Sequence, residues 1–436
     1  MKVLLVSTYE LGRQPFGLAE PAARLGEAGA RVVCNDVSVE PFDQASAAEA
    51  DLICFYLPMH TATRLAAPLI ELSRRINPRA GICCYGLYAS VNEGYLRSLG
   101  ADFIVGGEFE PRLSELVDEN TDKGPAVTTS HARQRFITPD RSGLPPLERY
   151  ARMHTEDGDL VTGYTEATRG CKHLCRHCPI VPVYGGVFRV VQRDVVLADI
   201  EQQVAAGAGH ITFGDPDFFN APGHAQALVD ELHRRWPHLT YDVTIKVEHL
   251  LAHPRRLEVL SATGCSFVTS AVESVDDSVL QLLEKGHSRA DFITAAGLMR
   301  EIGLVLNPTF VAFTPWTTAA GYRELLELVG ELDLVDNVAP IQLAIRLLIV
   351  RGSRLLELPE VRALAGAFDA AALVHPWTHP EPEIDRLQKA VEAVAAQSPN
   401  DRRAVFERVC ELAGAGCELE ARPRITVPYL TEPWYC

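Results

Sequence analysis

Along most of the chain, short apolar runs alternate with segments long enough for a helix. Lys2–Ser7 is a continuous apolar run, the mark of a strand buried on both faces. Similar runs recur at Arg31–Asn35, Asp51–Tyr56, Ala80–Tyr85 and Asp102–Val105. Between them, the Gly/Pro-containing loop Leu11–Gly17 leads into a helix ending near Gly29, and Thr61–Ile76 and Glu93–Leu99 carry helical patterning. This alternation predicts a doubly wound, Rossmann-like parallel sheet over residues 1–120, with any ligand at the carboxyl ends of its strands. Residues 121–158 are polar, hold Gly124-Pro125 and the turn-rich stretch Pro139–Pro146, and predict a linker. Strands are then expected near Leu160–Thr168, His210–Gly214, Thr240–Val247, Ser266–Glu273, Leu304–Phe313 and Asn337–Leu347, each followed by a helix-length gap. Six such units predict a partial (β/α)6 barrel of the TIM type over 159–350, with its site at the C-terminal strand ends. Residues 351–436 turn Ala-, Leu- and Glu-rich and predict a helical extension.

Composition narrows the function classes. Of the 436 residues 47% are hydrophobic and 22% charged, the range of a packed soluble protein. The 41 basic and 57 acidic residues give a net charge of −16, which argues against a nucleic-acid or membrane partner, since both need a basic face. The N-terminal apolar run is too short for a signal peptide, and no run approaches a membrane span. Eleven cysteines in such a chain predict reduced thiols and metal ligation in the cytoplasm.

The chemistry concentrates in Thr168-Arg-Gly-Cys-Lys-His-Leu-Cys-Arg-His-Cys-Pro179. Cys171, Cys175 and Cys178 are spaced to hold three irons of a [4Fe–4S] cluster, which normally takes four cysteines. The fourth iron is then open to a small molecule. The same cysteines with His173 or His177 make a Cys3His zinc set, although structural zinc sites more often use two separated C-x2-C pairs. A disulfide needs an oxidising compartment. At these residues the chain resembles the radical S-adenosylmethionine (SAM) superfamily, in which the amino and carboxylate groups of SAM chelate the open iron. His177 departs from that pattern, where an aromatic residue usually precedes the third cysteine; the imidazole keeps a flat ring there.

The resemblance implies roles for other strand ends. Gly214-Asp-Pro-Asp217 places carboxylates where family members bind the SAM amino group, Asp215 first and Asp217 second, and the same residues suit a turn and helix cap. Lys246 and Glu248 end the third barrel strand. Ser270-Ala-Val-Glu-Ser274 resembles the G-x-E-S pattern of the cobalamin-associated subgroup, which gives Glu273, next to Ser274, the ribose hydroxyls; Glu284-Lys-Gly-His-Ser288 matches the same subgroup. Asn307–Phe310 and Phe313–Trp316 would shape the adenine slot. Arg346 could pair the SAM carboxylate in a fork or stand outward in a salt bridge.

The first domain resembles the cobalamin-binding domains fused to radical SAM barrels, through Gln14-Pro-Phe-Gly-Leu18 with its following helix and the Gly106–Glu110 corner. The residues this puts at the cofactor are Thr8, Tyr9, Gln14, Phe16, Gly17, Leu18, Tyr56, Pro58, Tyr85, Gly86, Gly107 and Glu108. With no D-x-H-x-x-G motif, no histidine should replace the lower cobalt ligand, and His60 is taken as a loop residue. Cys83 and Cys84 are adjacent on a strand, point to opposite faces and predict core thiols.

The tail ends in Pro433-Trp-Tyr-Cys436 and is similar to the ends of a radical SAM group with Cys-Cys-Ala-Glu-Pro or Cys-selenocysteine-Ala-Glu-Pro (CCAEP/CUAEP) tails. A stop straight after Cys436 raises the expectation of a selenocysteine codon read as termination. Cys436 is the candidate catalytic thiolate, with Cys410 and Cys417 as helpers. The expected function is reductive cleavage of SAM on a [4Fe–4S] cluster, with cobalamin-dependent methylation or another radical modification of a small molecule. A flavodoxin- or ferredoxin-like protein would donate the electron. The rivals are transfer of the 3-amino-3-carboxypropyl group of SAM to a soft acceptor and a sensor that binds cofactors without turnover.

Overall fold

The protein is described by a computed structural model over residues 1–118, 127–397, 401–417 and 427–431. Its first sheet is built from β1 (Lys2–Ser7), β2 (Arg31–Asp36), β3 (Leu52–Tyr56), β4 (Gly81–Tyr85), β5 (Phe103–Gly107) and β6 (Val127–Ser130). All pairings are parallel, in the order β2-β1-β3-β4-β5-β6, so the chain reverses direction of growth between β1 and β3. Alternate residues serve opposite cores: Leu4, Val6, Ile53 and Cys84 on one face, Val3, Leu5, Cys54 and Cys83 on the other. Cys83 and Cys84 are thus core thiols on separate faces, fully buried.

The segment expected as a plain linker is structured. It supplies β6, β7 (Arg152–Thr155) and a buried tie, Arg141. The Arg141 guanidinium bonds both oxygens of Asp199, at 2.7 and 2.9 Å, the Gln14 side-chain oxygen at 2.7 Å and the Tyr164 carbonyl at 2.6 Å. One side chain thereby joins the first loop of the first sheet to the second half of the molecule.

The second sheet contains β7, β8 (Gly158–Thr165), β11 (His210–Phe213), β12 (Thr240–Thr244), β13 (Cys265–Glu273), β14 (Val305–Phe310) and β15 (Tyr429–Leu430); the short ribbon β9 (Thr168–Gly170) and β10 (Phe188–Val190) stands apart. Strands β8, β11, β12, β13 and β14 run parallel and curl into a half-barrel, while β7 and β15 extend its outer edge antiparallel. The expected sixth barrel strand, 337–347, is instead two 3-10 turns, Val335–Asn337 and Pro340–Leu343, which meet β14 through the Asn337 and Gln342 side chains and a single parallel bridge between Phe313 and Arg346. Pro340 has no N–H for a ladder, which is why this apolar run packs as turns. Helices Pro382–Gln397 and Arg402–Ala413 bury Ile384, Val391, Val405 and Phe406 in the same core as the half-barrel. Cys410 and Cys417 are joined in a disulfide with Cα atoms 6.2 Å apart, which corrects the expectation of reduced thiols for this pair and removes both as helpers of the tail. No helix among the described residues is long and apolar enough to cross a membrane.

Candidate active site

The carboxyl ends of both sheets open on one cavity of about 780 Å³. From the half-barrel, Cys171, Cys175 and Cys178 share its wall with Asp215, Lys246 and Glu273. From the first sheet, Phe16, Tyr56, Pro58, Met59, Gly107 and Phe109 face them.

The cysteine loop leaves the ribbon at Gly170. This residue has φ 72°, and a Cβ there would lie 2.5 Å from the Val187 carbonyl, so no other residue fits without moving backbone. The loop is then tied down by its neighbours. The Arg176 amide donates to the Leu283 carbonyl at 3.0 Å, while the Leu174 and Arg176 carbonyls accept from Arg354 at 2.6 Å and Ser353 at 3.2 Å. Burial raises the Cys171 thiol and pushes Cys178 up to about 12. Thiols insulated this way ionise when a metal cation replaces the proton, so the donor set fits a cluster.

Next to the cysteines, Glu273 Oε1 accepts from His177 Nε2 at 3.1 Å and from Lys285 Nζ at 3.3 Å. Burial works to raise the Glu273 carboxyl, yet Lys285 and His177 hold it down at about 2. Burial likewise works against the Lys285 ammonium, and Glu273 more than restores it, leaving it above its usual value. Glu273 has φ 67°, in the left-handed region, at the point where the register of β13 against β14 shifts. Such strain in a non-glycine residue marks an over-determined position.

Asp215 is also committed. It accepts from the Ala167 amide at 3.0 Å and the Thr168 hydroxyl at 2.5 Å, and burial pushes its carboxyl up to about 7. It therefore holds the start of the cysteine loop from across the sheet rather than capping a turn of its own. Gly214 leaves room for the Tyr164 ring, which a Cβ would strike. Asp217 caps the turn Phe218–Asn220 through the Phe219 amide at 3.1 Å and lies off the cavity wall.

Other expected contacts are placed elsewhere. Arg346 is the outward residue, a correction to its SAM-carboxylate role. Its guanidinium bonds Asp385 at 2.6 Å and the Trp377 carbonyl at 2.9 Å, and lies 3.6 Å over the Trp377 ring. Ser274 borders a separate small pocket with Trp316, and accepts from the Asp276 amide. In the first sheet Thr8 donates to the Ala62 carbonyl, Gln14 bonds Pro145 and Arg141, and Leu18 is core. Gly17 sits against the Tyr56 ring and its carbonyl takes the Tyr85 hydroxyl at 2.7 Å. Glu108 is bonded to Gln134 and Tyr184. Tyr9 and Gly86 are likewise off the wall. His60 bonds the Ala372 carbonyl at 2.7 Å and points to the C-terminal segment. Cys436 lies outside the described residues, but Tyr429, Leu430 and Thr431, five residues before it, line the cavity.

Sequence reading missed the charged pair that bridges the two halves at the cavity, Arg169 with Glu110, and its neighbours Glu10, Arg13 and Glu166. A charged residue directly before Gly170-Cys171 was the available signal.

Residues 165–316 match the family model described as the Radical SAM superfamily. Among curated proteins, the ribosomal protein uS12 methylthiotransferase RimO of Syntrophotalea carbinolica is 26% identical over 247 residues, covering 53% of this chain and 50% of that one. The tRNA-2-methylthio-N(6)-dimethylallyladenosine synthase of Chlorobium luteolum is 23% identical over 254 residues, covering 54% and 52%. The chain thus spans about half the length of these relatives. Among solved structures, the radical SAM methyltransferase TsrM of Kitasatospora setae, with cobalamin and a [4Fe–4S] cluster bound, superposes with a TM-score of 0.59 at 19% identity, over 76% of this chain and 70% of that one. The cobalamin-dependent SAM radical enzyme OxsB, with aqua-cobalamin bound, gives a TM-score of 0.71 at 13% identity, over 95% and 71%. Both share the fold. With the three cysteines on the half-barrel's first loop, the chain carries a radical SAM domain over residues 165–316.

Proposed function

We propose that this protein is a cobalamin-dependent radical SAM enzyme that methylates, or otherwise modifies through a radical, a small molecule. One observation carries the reading: the strand ends of a Rossmann-like sheet and the three cysteines of a half-barrel share a single cavity. A cluster on Cys171, Cys175 and Cys178 supplies one electron for cleaving SAM, and cobalamin supplies a methyl carrier. Glu273 is the carboxylate suited to the SAM ribose, because it lines the cavity and only its Oε1 is engaged among the described residues. Lys285 and His177 keep it ionised, hence an acceptor only. Asp215 orients the cysteine loop. On the opposite wall Leu11, Tyr56, Pro58, Met59, Leu87 and Phe109 offer an apolar and aromatic surface, which supports a large, partly apolar cofactor such as cobalamin there.

The relatives that modify ribosomal protein uS12 and tRNA favour a second reading, with a macromolecular substrate. A net charge of −16 opposes a nucleic-acid partner. The deciding experiment is anaerobic reconstitution with SAM and dithionite, with and without cobalamin, followed by mass analysis. 5′-Deoxyadenosine, with methyl transfer that needs cobalamin, supports the proposal. Methylthioadenosine would instead mark aminocarboxypropyl transfer, and intact SAM under strong reduction would mark a sensor.

A further inference from the structure

Behind the cysteines, and apart from the network around Glu273, three side chains from separate elements converge. His173 comes from the loop between Cys171 and Cys175, Asp217 from the loop after β11, and His249 from the helix Val247–Ala252 after β12. His173 Nε2 and His249 Nδ1 lie 3.3 and 2.6 Å from the same carboxylate oxygen, Asp217 Oδ2, and the two rings are 4.9 Å apart between centroids. The three atoms lie within 4.8 Å of one another. All are shielded from solvent, and none meets hydrogen-bond geometry with any partner among the described residues.

That combination is unusual. Buried polar atoms are nearly always paired, because an unmade bond costs the full desolvation of the group. Here the separations are short but the hydrogen-bond geometry is not met, so the three atoms are gathered without being paired. The carboxylate is not free to turn away, since Asp217 Oδ1 accepts from the Phe219 amide at 3.1 Å. A first-row divalent ion about 2.1 Å from each atom, with the ligands near right angles, would place neighbouring atoms about 3 Å apart, between the 2.6 and 3.3 Å of the two histidine–aspartate pairs. Metal-bound histidines also direct their second ring nitrogen to an outer carboxylate. His173 Nδ1 has such a neighbour in Glu248 Oε2, at 3.9 Å.

We propose that His173, Asp217 and His249 bind a divalent first-row transition ion, of the zinc or iron(II) class, distinct from the cluster on the cysteines. Two imidazoles and one carboxylate are the ligand set for such ions, whereas thiolates alone favour softer or iron–sulfur sites. The ion fastens the cysteine loop to the ends of β11 and β12, and because His173 also lines the cavity, it sits at the cavity margin.

The test uses the full chain, reconstituted anaerobically with iron and sulfide, exposed to zinc chloride, desalted and analysed for both metals. The expected result is about one zinc per chain beyond the four irons of the cluster. His249→Ala and Asp217→Asn should each lower zinc by at least about tenfold while iron, sulfide and visible cluster absorption persist. Cys175→Ala should show the reverse, losing cluster iron and keeping zinc, so failure of the cluster assignment and failure of this site are separable. Cobalt(II) in place of zinc should give d–d absorption without a thiolate charge-transfer band. The proposal is overturned if the wild-type chain takes up no second metal, if both variants retain as much zinc as wild type, or if the cobalt spectrum is that of a thiolate site. Should His249→Ala not fold, the near-isosteric Asp217→Asn and the wild-type cobalt spectrum still decide.

Discussion

Arg169 and Glu110 form a buried ion pair that joins the ribbon leading to Cys171 to the helix Glu110–Asp118, which follows the last glycine of β5. Glu166 bonds the same guanidinium at 2.9 Å and Glu108 lies 3.9 Å away, with Phe16, Phe109 and Phe136 rings 5.0–5.4 Å around it. Removing this cation leaves Glu110 and Glu166 without their paired guanidinium in an apolar pocket. Arg169→Ala is therefore expected to cost about 3–5 kcal/mol of stability, read as a fall in the urea midpoint. Arg169→Lys should recover only part of it, because an ammonium cannot fork between carboxylates on separate elements.

Glu10 lies against this network, buried, and desolvation with the nearby Glu166 charge raises its carboxyl well above the ordinary 4.5. A folded-state pKa above the unfolded one means the folded chain holds the extra proton. Its stabilising contribution is complete below about pH 4.5 and is lost as pH rises through the raised value. Glu10→Gln, a mimic of the protonated form, should match wild type near pH 4 and exceed it in thermal stability at pH 8. A stability difference independent of pH would contradict this account.

What was legible in the sequence was local. The cysteine spacing and the apolar strands β1 to β5 announce themselves within a few residues, as do the five parallel strands of the half-barrel. The four-residue edge strand β6, Val127-Thr-Thr-Ser130, has three polar residues of four and so offers no apolar run. The opposite error occurred at 337–347, where an apolar run packs as 3-10 turns around Pro340. Partnerships across long separations were hidden: Arg346 finds Asp385 39 residues on, and His173 meets Asp217 and His249 only after two further barrel strands are laid down. Gly17, expected at a cofactor, lies under the Tyr56 ring, while Gly107 does line the cavity.

Arg346 should leave SAM binding untouched. Its partners are Asp385 and Trp377 in the C-terminal extension, and both charged side chains are 24% exposed, so screening limits the pair. With the ring contact added, Arg346→Ala should lower stability by about 1–2 kcal/mol. The SAM dissociation constant, measured on the reconstituted protein, should not move. A SAM defect at unchanged stability would return Arg346 to the cofactor.

Cys175→Ala should abolish the cluster's broad absorption near ~400 nm and most bound iron. The first sheet is held by its own two cores, so its fold should survive, with far-UV circular dichroism near that of wild type. A variant that kept both colour and SAM cleavage would remove the cysteines from the chemistry.

Glu273 separates a binding role from a structural one. Its carboxylate is kept ionised by Lys285 and His177, and the ribose of SAM would meet an acceptor that needs no reorganisation. Glu273→Gln removes the charge and keeps the shape. The loss of a charge-assisted bond worth about 1.5–3 kcal/mol predicts SAM binding weaker by roughly 10–100-fold. Cluster absorption should persist, since no cysteine is bonded to this residue. Lys285, left buried beside a neutral amide, should have its pKa pulled below the ordinary value by desolvation, so unfolding of the variant should become easier as pH falls toward neutrality from the alkaline side, where the neutral amine is far less costly to bury than the ammonium. If SAM affinity is unchanged while that pH-dependent instability appears, Glu273 serves only to neutralise Lys285. If affinity falls at a pH where stability is normal, the carboxylate contacts SAM.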